Sequence, residues 1–213
     1  MAVNTNKGKE IALAVVKAIQ ENKDYLSEVD GLIGDGDHGV NMNKGFTMFA
    51  DKIAGREEMK LDEAFRLLGR TLLGDIGGSM GPLYGSFFME MAKKAKGHEY
   101  IDGPLLADML DAALAGVQTL GNAQVGDKTL VDCLFPVCQA FRKTLNDSAD
   151  FRQALEQIKP AAIAGRDATK ELTAKLGRAS RLGERSRGVP DAGACSCCVI
   201  LCAIADEMIA AAV

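Results

Sequence analysis

Three aspartates lie close together near the start of the chain, in the stretch Asp30–Met42, which reads DGLIGDGDHGVNM. Asp30, Asp35 and Asp37 fall within eight residues, among glycines and beside the apolar Leu32 and Ile33. Two like charges about 4 Å apart, in an effective dielectric of about 20, repel by roughly 4 kcal/mol. The three carboxylates are therefore either spread into water or arranged around a cation.

Carboxylate oxygens suit Mg²⁺ or Ca²⁺ rather than zinc. An EF-hand is excluded, because counting from Asp35 places Gly39 and Phe46 where that loop requires Asp or Asn and then Glu. Mg²⁺ usually takes one or two carboxylates and completes its shell with water and substrate phosphates. The spacing thus favours a metal–phosphate site. An acidic turn in which Asp37 caps a helix is the alternative that the spacing leaves open.

Three further segments carry residues that suit an anion. His38 adjoins the aspartates, either as a structural histidine or as a ligand contact. The segment GGSMG (77–81) precedes Pro82 and an apolar helix, which is typical of a helix N-terminus that offers backbone amides to an anion, although tight helix packing explains it equally well. It matches neither the P-loop pattern nor a dinucleotide fingerprint.

The segment Gly177–Gly193 is the basic one, and a guanidinium binds phosphate through two parallel hydrogen bonds. A solvated basic loop is the competing interpretation. Together with the aspartates and the glycine-rich loops, this segment supplies the parts that phosphoryl chemistry needs. Its arginines are Arg178, Arg181, Arg185 and Arg187.

Helical periodicity of the apolar residues dominates the chain, and strand signals are nearly absent. We therefore predict one all-α domain over residues 1–213, with Pro136 kinking the sixth helix and Pro160 bending or splitting the seventh. If the helices run up and down, the four glycine-rich connections converge at one end and form a pocket. The eight predicted helices lie near 5–22, 40–53, 61–74, 80–96, 103–120, 129–145, 149–176 and 193–212.

Composition narrows the class of protein. The 213 residues carry a formal net charge of −4, which argues against binding to nucleic acid or to an anionic membrane. The apolar C-terminal segment contains Asp206 and Glu207, so we expect it to be too short and too broken to span a bilayer, and we see no signal peptide. We interpret Cys195, Cys197, Cys198 and Cys202 as buried helix residues rather than a soft-metal site. Free thiols at this density predict a cytoplasmic location.

Four motifs in this order resemble the nucleotide-binding L subunits of bacterial dihydroxyacetone kinases over essentially the full chain. The resemblance implies an eight-helix antiparallel barrel with ADP or ATP bound at one end. The motifs are IGDGDHGVNMN (33–43), GGSMGPLYGSFF (77–88), GDKT (126–129) and GRASRLGERS (177–186), the last followed by Asp191-Ala-Gly193.

The same resemblance implies roles for individual residues. Asp30, Asp35 and Asp37 would hold two Mg²⁺ ions that grip the nucleotide phosphates, and Arg178 would act in catalysis by stabilising the transferring group. The implied nucleotide contacts are His38, Gly39, Val40, Asn41, Ser79, Met80, Gly121, Leu130, Arg178, Asp191, Ala192 and Gly193.

Partners also follow from the resemblance. In the family, a separate K subunit holds dihydroxyacetone, and in one branch a phosphotransferase-system M subunit rephosphorylates bound ADP in place. In the other branch, ATP exchanges as a substrate, in some cases for four-carbon ketoses. A standalone L chain favours the first branch, and a homo-oligomer is compatible with it. Two other interpretations remain open at this point: a nucleotide-loaded regulatory module, and a Mg²⁺-binding bundle without nucleotide.

Overall fold

The computed structural model describes residues 1–213, and almost all of its regular structure is helical. Two-residue strands, β1 (Val3–Asn4) and β2 (Tyr100–Ile101), pair antiparallel. Thr169–Glu171 and Arg178–Ser186 form 3₁₀ helices. The nine α-helices are α1 (Gly8–Glu21), α2 (Lys23–Ile33), α3 (His38–Ile53), α4 (Leu61–Asp75), α5 (Met80–Ala95), α6 (Gly103–Gly121), α7 (Val131–Ser148), α8 (Phe151–Ala168) and α9 (Ala192–Ala211).

The predicted count of eight helices is wrong, because the sequence analysis did not recognise α2. Only Leu26, Val29 and Ile33 of this helix are buried, so its apolar stripe is narrow. A single residue, Asn22, separates it from α1, and the Asn22 amide donates to the Ala18 carbonyl at 2.8 Å. Gly31 consequently belongs to α2, and the loop between α2 and α3 consists of residues 34–37.

Two predictions about the proline-containing helices need correction. The seventh predicted helix, 149–176, corresponds to α8, which begins at Phe151, ends at Ala168 and is followed by a 3₁₀ turn. Pro160 does not split α8, and α7 continues through Pro136; a kink at Pro136 and a bend at Pro160 stay predictions. A proline removes one backbone hydrogen bond from a helix, and tertiary packing can compensate for that loss.

The N-termini of α3, α5, α7 and α9 meet at one end of the molecule, together with the C-termini of α2 and α6. The opposite end carries the β1–β2 pair and the bridge between Val3 and Ala212. Each of α4 to α8 packs against the next helix in sequence, and α9 packs against α1, which also contacts α4. These contacts close a circuit around a single hydrophobic core. The antiparallel barrel stays a prediction.

Helix α9 lies in this core, which accounts for its composition. It packs against α1, α7 and α8, and most of its side chains are buried, including Cys195, Cys197 and Cys198. The predicted burial of these cysteines is confirmed, and Cys202 is half-buried. By length and hydropathy α9 is the one helix that could cross a membrane, so the expectation that this segment is too short was wrong. A helix that is apolar on all sides also fits a core position.

Gly39 lets α3 pass close to α2. A Cβ atom built on Gly39 would lie 1.9 Å from the Lys23 carbonyl oxygen and 2.6 Å from the Ser27 hydroxyl. The contact with backbone cannot relax by a side-chain rotation. The first turn of α3 therefore depends on a glycine for packing.

We predict that Gly39→Ala lowers the free energy of unfolding by about 1–3 kcal/mol, the usual cost of overpacking. Gly55→Ala is the matched control, since a Cβ there meets nothing within 4 Å. Urea unfolding of both variants measures the difference. Equal stability of the two variants would contradict the packing role of Gly39.

Candidate functional site

A cavity of about 730 Å³ opens at the end of the molecule where α3, α5, α7 and α9 begin. Residues at the beginning of α3, α5, α7 and α9 line it, and they include His38, Met80, Leu130 and Ala192. Each helix N-terminus carries the equivalent of about half a positive charge and unpaired N–H groups. Four of them around one cavity create a region that favours an anion.

Helix α5 offers the least obstructed of these N-termini. No side chain caps it, and Gly77 and Gly78 precede it with open space around both Cα atoms. Gly78 has a φ of +73°, a backbone conformation that residues with a side chain rarely adopt. The loop can therefore turn tightly and leave its amides accessible to a ligand.

One part of the cavity wall is acidic. Carboxylate oxygens of Asp30, Asp35 and Asp37 lie within 4.8 Å of one another, and they form the one group of side chains in the molecule placed to hold a metal ion. Asp30 belongs to the last turn of α2, whereas Asp37 precedes α3. Gly34 permits this approach, because a Cβ on it would lie 2.3 Å from the Asp30 Oδ1 atom.

The acidic wall is under electrostatic strain that a cation relieves. Burial, together with the charges of Asp35 and Asp30, raises the pKa of Asp37 above its ordinary value. The Arg178 guanidinium forms an ion pair with Asp35 and so places one positive charge in the cluster. Hard oxygen donors with unbalanced charge fit Mg²⁺, so the residues present suit the expected metal.

Lys128 links three loop segments at the cavity through hydrogen bonds. Its side chain is buried, and its Nζ donates to the carbonyls of Thr169 at 2.8 Å, Leu172 at 3.1 Å and Val189 at 2.6 Å. Burial lowers the pKa of Lys128 from its ordinary value, while nearby Asp191 opposes that shift. The three carbonyls use all the donors of the ammonium, so the role of Lys128 here is structural.

Asp191 lines the cavity as well, and Asp132 holds the neighbouring GDKT turn. The Asp132 carboxylate accepts hydrogen bonds from the backbone amides of Gly126 and Thr129, at 2.5 Å and 2.8 Å, which closes the GDKT turn onto α7. Asp191 caps α9 by accepting from the Ala194 amide at 2.7 Å, and burial raises its pKa to about 7. Both carboxylates hold loops in place at the cavity.

His38 is buried and engaged inside the protein. Its Nε2 atom lies 2.8 Å from the Ser196 hydroxyl, and burial lowers its pKa to about 4. The imidazole is therefore neutral near pH 7. The backbone amide of His38 donates to the Asp30 Oδ2 atom at 3.3 Å, so the histidine also fixes the acidic wall.

The cavity gathers nearly all of the residues singled out from the sequence. Gly39 and Val40 are the exceptions: Gly39 packs against α2, and Val40 is half-exposed. The predicted residues that line the cavity are Asp30, Asp35, Asp37, His38, Asn41, Ser79, Met80, Gly121, Leu130, Arg178, Asp191, Ala192 and Gly193.

The sequence analysis assigned no role to three residues that shape the site. Lys128 belongs to the GDKT motif and Tyr84 to the motif beginning GGSMG, so position in a motif was an available signal for both. Ser196 carried no signal, since it lies among cysteines and alanines of a core helix.

We predict that Lys128→Met lowers the free energy of unfolding by about 2–4 kcal/mol, because three buried carbonyls lose their donor. Lys175→Met is the control, since the exposed Lys175 pairs only with Asp127 and a surface ion pair contributes about 1 kcal/mol or less. Thermal and urea unfolding give both values. A loss in Lys128→Met no larger than in the control would refute the structural role.

Comparison with known proteins finds a matching family and similar relatives. Residues 32–206 match the DAK2 domain family. The chain is 42% identical over 175 residues to the PTS-dependent dihydroxyacetone kinase, ADP-binding subunit DhaL, of Lactococcus lactis, covering 82% of this chain and 83% of that protein. It is 36% identical to the PEP-dependent dihydroxyacetone kinase, ADP-binding subunit DhaL, of Escherichia coli K12, covering 81% and 82% respectively.

A solved structure shares the fold. The dihydroxyacetone kinase of C. freundii in complex with AMP-PNP and Mg²⁺ superposes with a TM-score of 0.71 at 23% identity, over 97% of this chain and 35% of that one. The family match spans most of the chain, and the relatives are similar over most of their own length. The chain belongs to the DAK2 domain family.

Proposed function

We propose that this chain is the nucleotide-binding subunit of a dihydroxyacetone kinase and transfers a phosphoryl group from a nucleotide to dihydroxyacetone held on a separate K subunit. The observation that carries the proposal is the cavity itself, which is lined by an acidic cluster and by four helix N-termini. A phosphate chain in this cavity would meet cations held by the aspartates and backbone amides of the helix N-termini. Its named relatives are ADP-binding subunits of such kinases.

In this proposal Asp30, Asp35 and Asp37 hold two Mg²⁺ ions. When bound, Mg²⁺ neutralises negative charge on the phosphates and on the aspartates. The aspartates contribute a fixed geometry, because Asp30 accepts from the His38 amide and Asp37 immediately precedes α3. The C. freundii enzyme with AMP-PNP and Mg²⁺ has the same fold, which agrees with a metal–nucleotide site here.

The nucleotide would lie across the cavity with its phosphates at the helix N-termini. Ser79 and Met80 at α5, and Ala192 and Gly193 at α9, present backbone amides toward that position. The part of the cavity around Gly121 is apolar and suits a purine ring. Its apolar members are Leu83, Val117, Leu120, Ala123 and Leu130.

Arg178 would be the residue that acts on the transferring group. Its guanidinium lies at the cavity, at the start of a 3₁₀ helix, and about 65% of its side chain is exposed. A metal ion on Asp35 would replace the present ion pair and free the guanidinium for a phosphate. Positioned arginines contribute about 10³–10⁵ in rate in other phosphotransferases.

The acceptor must reach the phosphate from outside, so the K subunit would cover this end of the molecule. Several exposed apolar side chains belong to the segments that surround the cavity mouth. Exposed apolar surface of this kind can mark a site of contact with another protein. We propose that these side chains contact the K subunit. They are Leu32, Val40, Leu73, Leu120 and Val125.

We propose further that a phosphotransferase-system M subunit rephosphorylates ADP that stays bound. The relatives named PTS-dependent or PEP-dependent support this donor. The six free cysteines agree with a reducing compartment, and we place the protein in the cytoplasm on that ground.

A second candidate function is a subunit of an ATP-dependent ketose kinase. It is favoured by the similarity to the L-erythrulose kinase of Pectobacterium atrosepticum, which is 33% identical over 96% of this chain and 34% of that protein. ADP that remains bound through gel filtration supports the first candidate, whereas rapid exchange with free ATP supports the second. A purely regulatory module has no use for Arg178, so its loss would leave the function of such a module intact.

We predict that the purified protein releases stoichiometric ADP on acid denaturation, and that Asp35→Asn and Asp37→Asn abolish this retention because the metal loses its ligands. Asp51→Asn is the control: Asp51 is an exposed aspartate of α3, the helix that follows the site, and this variant should retain ADP. Circular dichroism should show unchanged helicity in all three. Retention of ADP by both site variants at the wild-type level would disprove the metal assignment.

We predict that Arg178→Ala lowers phosphoryl transfer, assayed with the K subunit present, by about 10³-fold or more. Arg181→Ala removes a neighbouring exposed arginine of the same 3₁₀ helix and should transfer at the wild-type rate. Full activity of Arg178→Ala would remove this arginine from the mechanism.

A further inference from the structure

Two residues with buried hydroxyl groups pair at the cavity: Tyr84 is one of its lining residues, and Ser196 is its partner. Tyr84 and Ser196 are both almost completely buried, and their oxygen atoms are 2.6 Å apart. The Tyr84 hydroxyl also donates to the Gly193 carbonyl at 3.0 Å, and the Ser196 hydroxyl lies 2.8 Å from His38 Nε2. Burying such groups costs free energy unless they are hydrogen-bonded, and here each of them is.

The network joins the beginnings of three helices. His38 is the first residue of α3, Tyr84 lies in the second turn of α5, and Ser196 lies in the second turn of α9. Ser196 also lies 3.2 Å and 3.1 Å from the carbonyls of Ala192 and Gly193 within its own helix. These same three N-termini form three of the walls on which the proposed nucleotide would rest.

The network reaches the acidic wall as well. The His38 ring contacts Ser196, while the His38 backbone amide donates to the Asp30 carboxylate. Asp37 immediately precedes His38 in the chain. The position of His38 therefore affects the positions of both Asp30 and Asp37. An apolar side chain at position 84 or 196 could fill the space, but it would not fix the relative positions of the three helices.

We propose that Tyr84 and Ser196 are positioning residues: their hydrogen bonds to His38 and Gly193 lock the N-termini of α3, α5 and α9 in the arrangement that binds the Mg²⁺–nucleotide complex. Neither hydroxyl touches the ligand in this account. The proposal rests on the proposed function, since it presupposes that a nucleotide binds in this cavity.

The test compares Tyr84→Phe and Ser196→Ala with Tyr25→Phe. Tyr25 supplies a matched control because its hydroxyl also bonds to α9, at Cys195 Sγ, 3.4 Å away, yet Tyr25 does not line the cavity. We expect both network variants to weaken ADP binding in the presence of Mg²⁺ by about tenfold, measured by calorimetry after removal of bound nucleotide. The control should bind as the wild type does.

A second readout uses the nucleotide-free protein. Hydrogen exchange at the first turns of α3 and α9 should be faster in both network variants than in the control, while the melting temperatures stay close. If Ser196→Ala yields too little folded protein, Tyr84→Phe decides alone, because it keeps the aromatic ring in place.

The outcomes separate the two proposals. Wild-type affinity and wild-type exchange in Tyr84→Phe would overturn the positioning role and leave the proposed function intact. Wild-type protein that binds no ADP at any Mg²⁺ concentration would overturn the proposed function, and this inference with it. Equal losses of affinity in the Tyr25→Phe control would show a general effect on α9 and would also overturn the positioning role.

Discussion

The mutual repulsion of three carboxylates governs the structure of this molecule's site. Asp30, Asp35 and Asp37 have oxygen atoms within 4.8 Å of one another, and burial together with the charges of Asp35 and Asp30 raises the pKa of Asp37. Held that close, the carboxylates require compensating positive charge. The Arg178 guanidinium supplies part of it through Asp35, from a segment far away in the sequence. The negative charge that Arg178 does not compensate makes this cluster a candidate metal centre rather than an acidic surface patch.

The surrounding fold determines what such a centre can hold. Helices α3, α5, α7 and α9 all begin at the same cavity, and their partial positive charges lie around it together with the three aspartates. A ligand that binds both to the helix N-termini and near the aspartates must carry negative charge and bring a cation with it. A phosphate chain with divalent metal meets that requirement, which is why the fold suits phosphoryl transfer with little other catalytic apparatus.

Local patterns of periodicity and spacing predicted the helical class and the acidic loop, whereas the predicted nucleotide contacts followed from the resemblance to a known family. The sequence analysis missed α2, whose buried stripe consists of only three side chains. It also assigned no role to Lys128, whose three carbonyl partners lie at least 41 residues away in the chain. The contact between His38 and Ser196 spans 158 residues. Such pairings follow from tertiary packing, which local patterns do not encode.

The structure also explains glycines that the sequence could justify only in general terms: Gly34 makes room for the Asp30 carboxylate, and Gly39 for the backbone of α2.

Anomalous diffraction from a crystal grown with ADP and Mn²⁺ tests the central claim most directly, because Mn²⁺ substitutes for Mg²⁺ at oxygen ligands and is visible by its own signal. The account predicts two anomalous peaks among Asp30, Asp35 and Asp37, each also in contact with a phosphate oxygen, with the phosphates at the N-terminus of α5. Bound ADP with no anomalous peak at these three aspartates would contradict it.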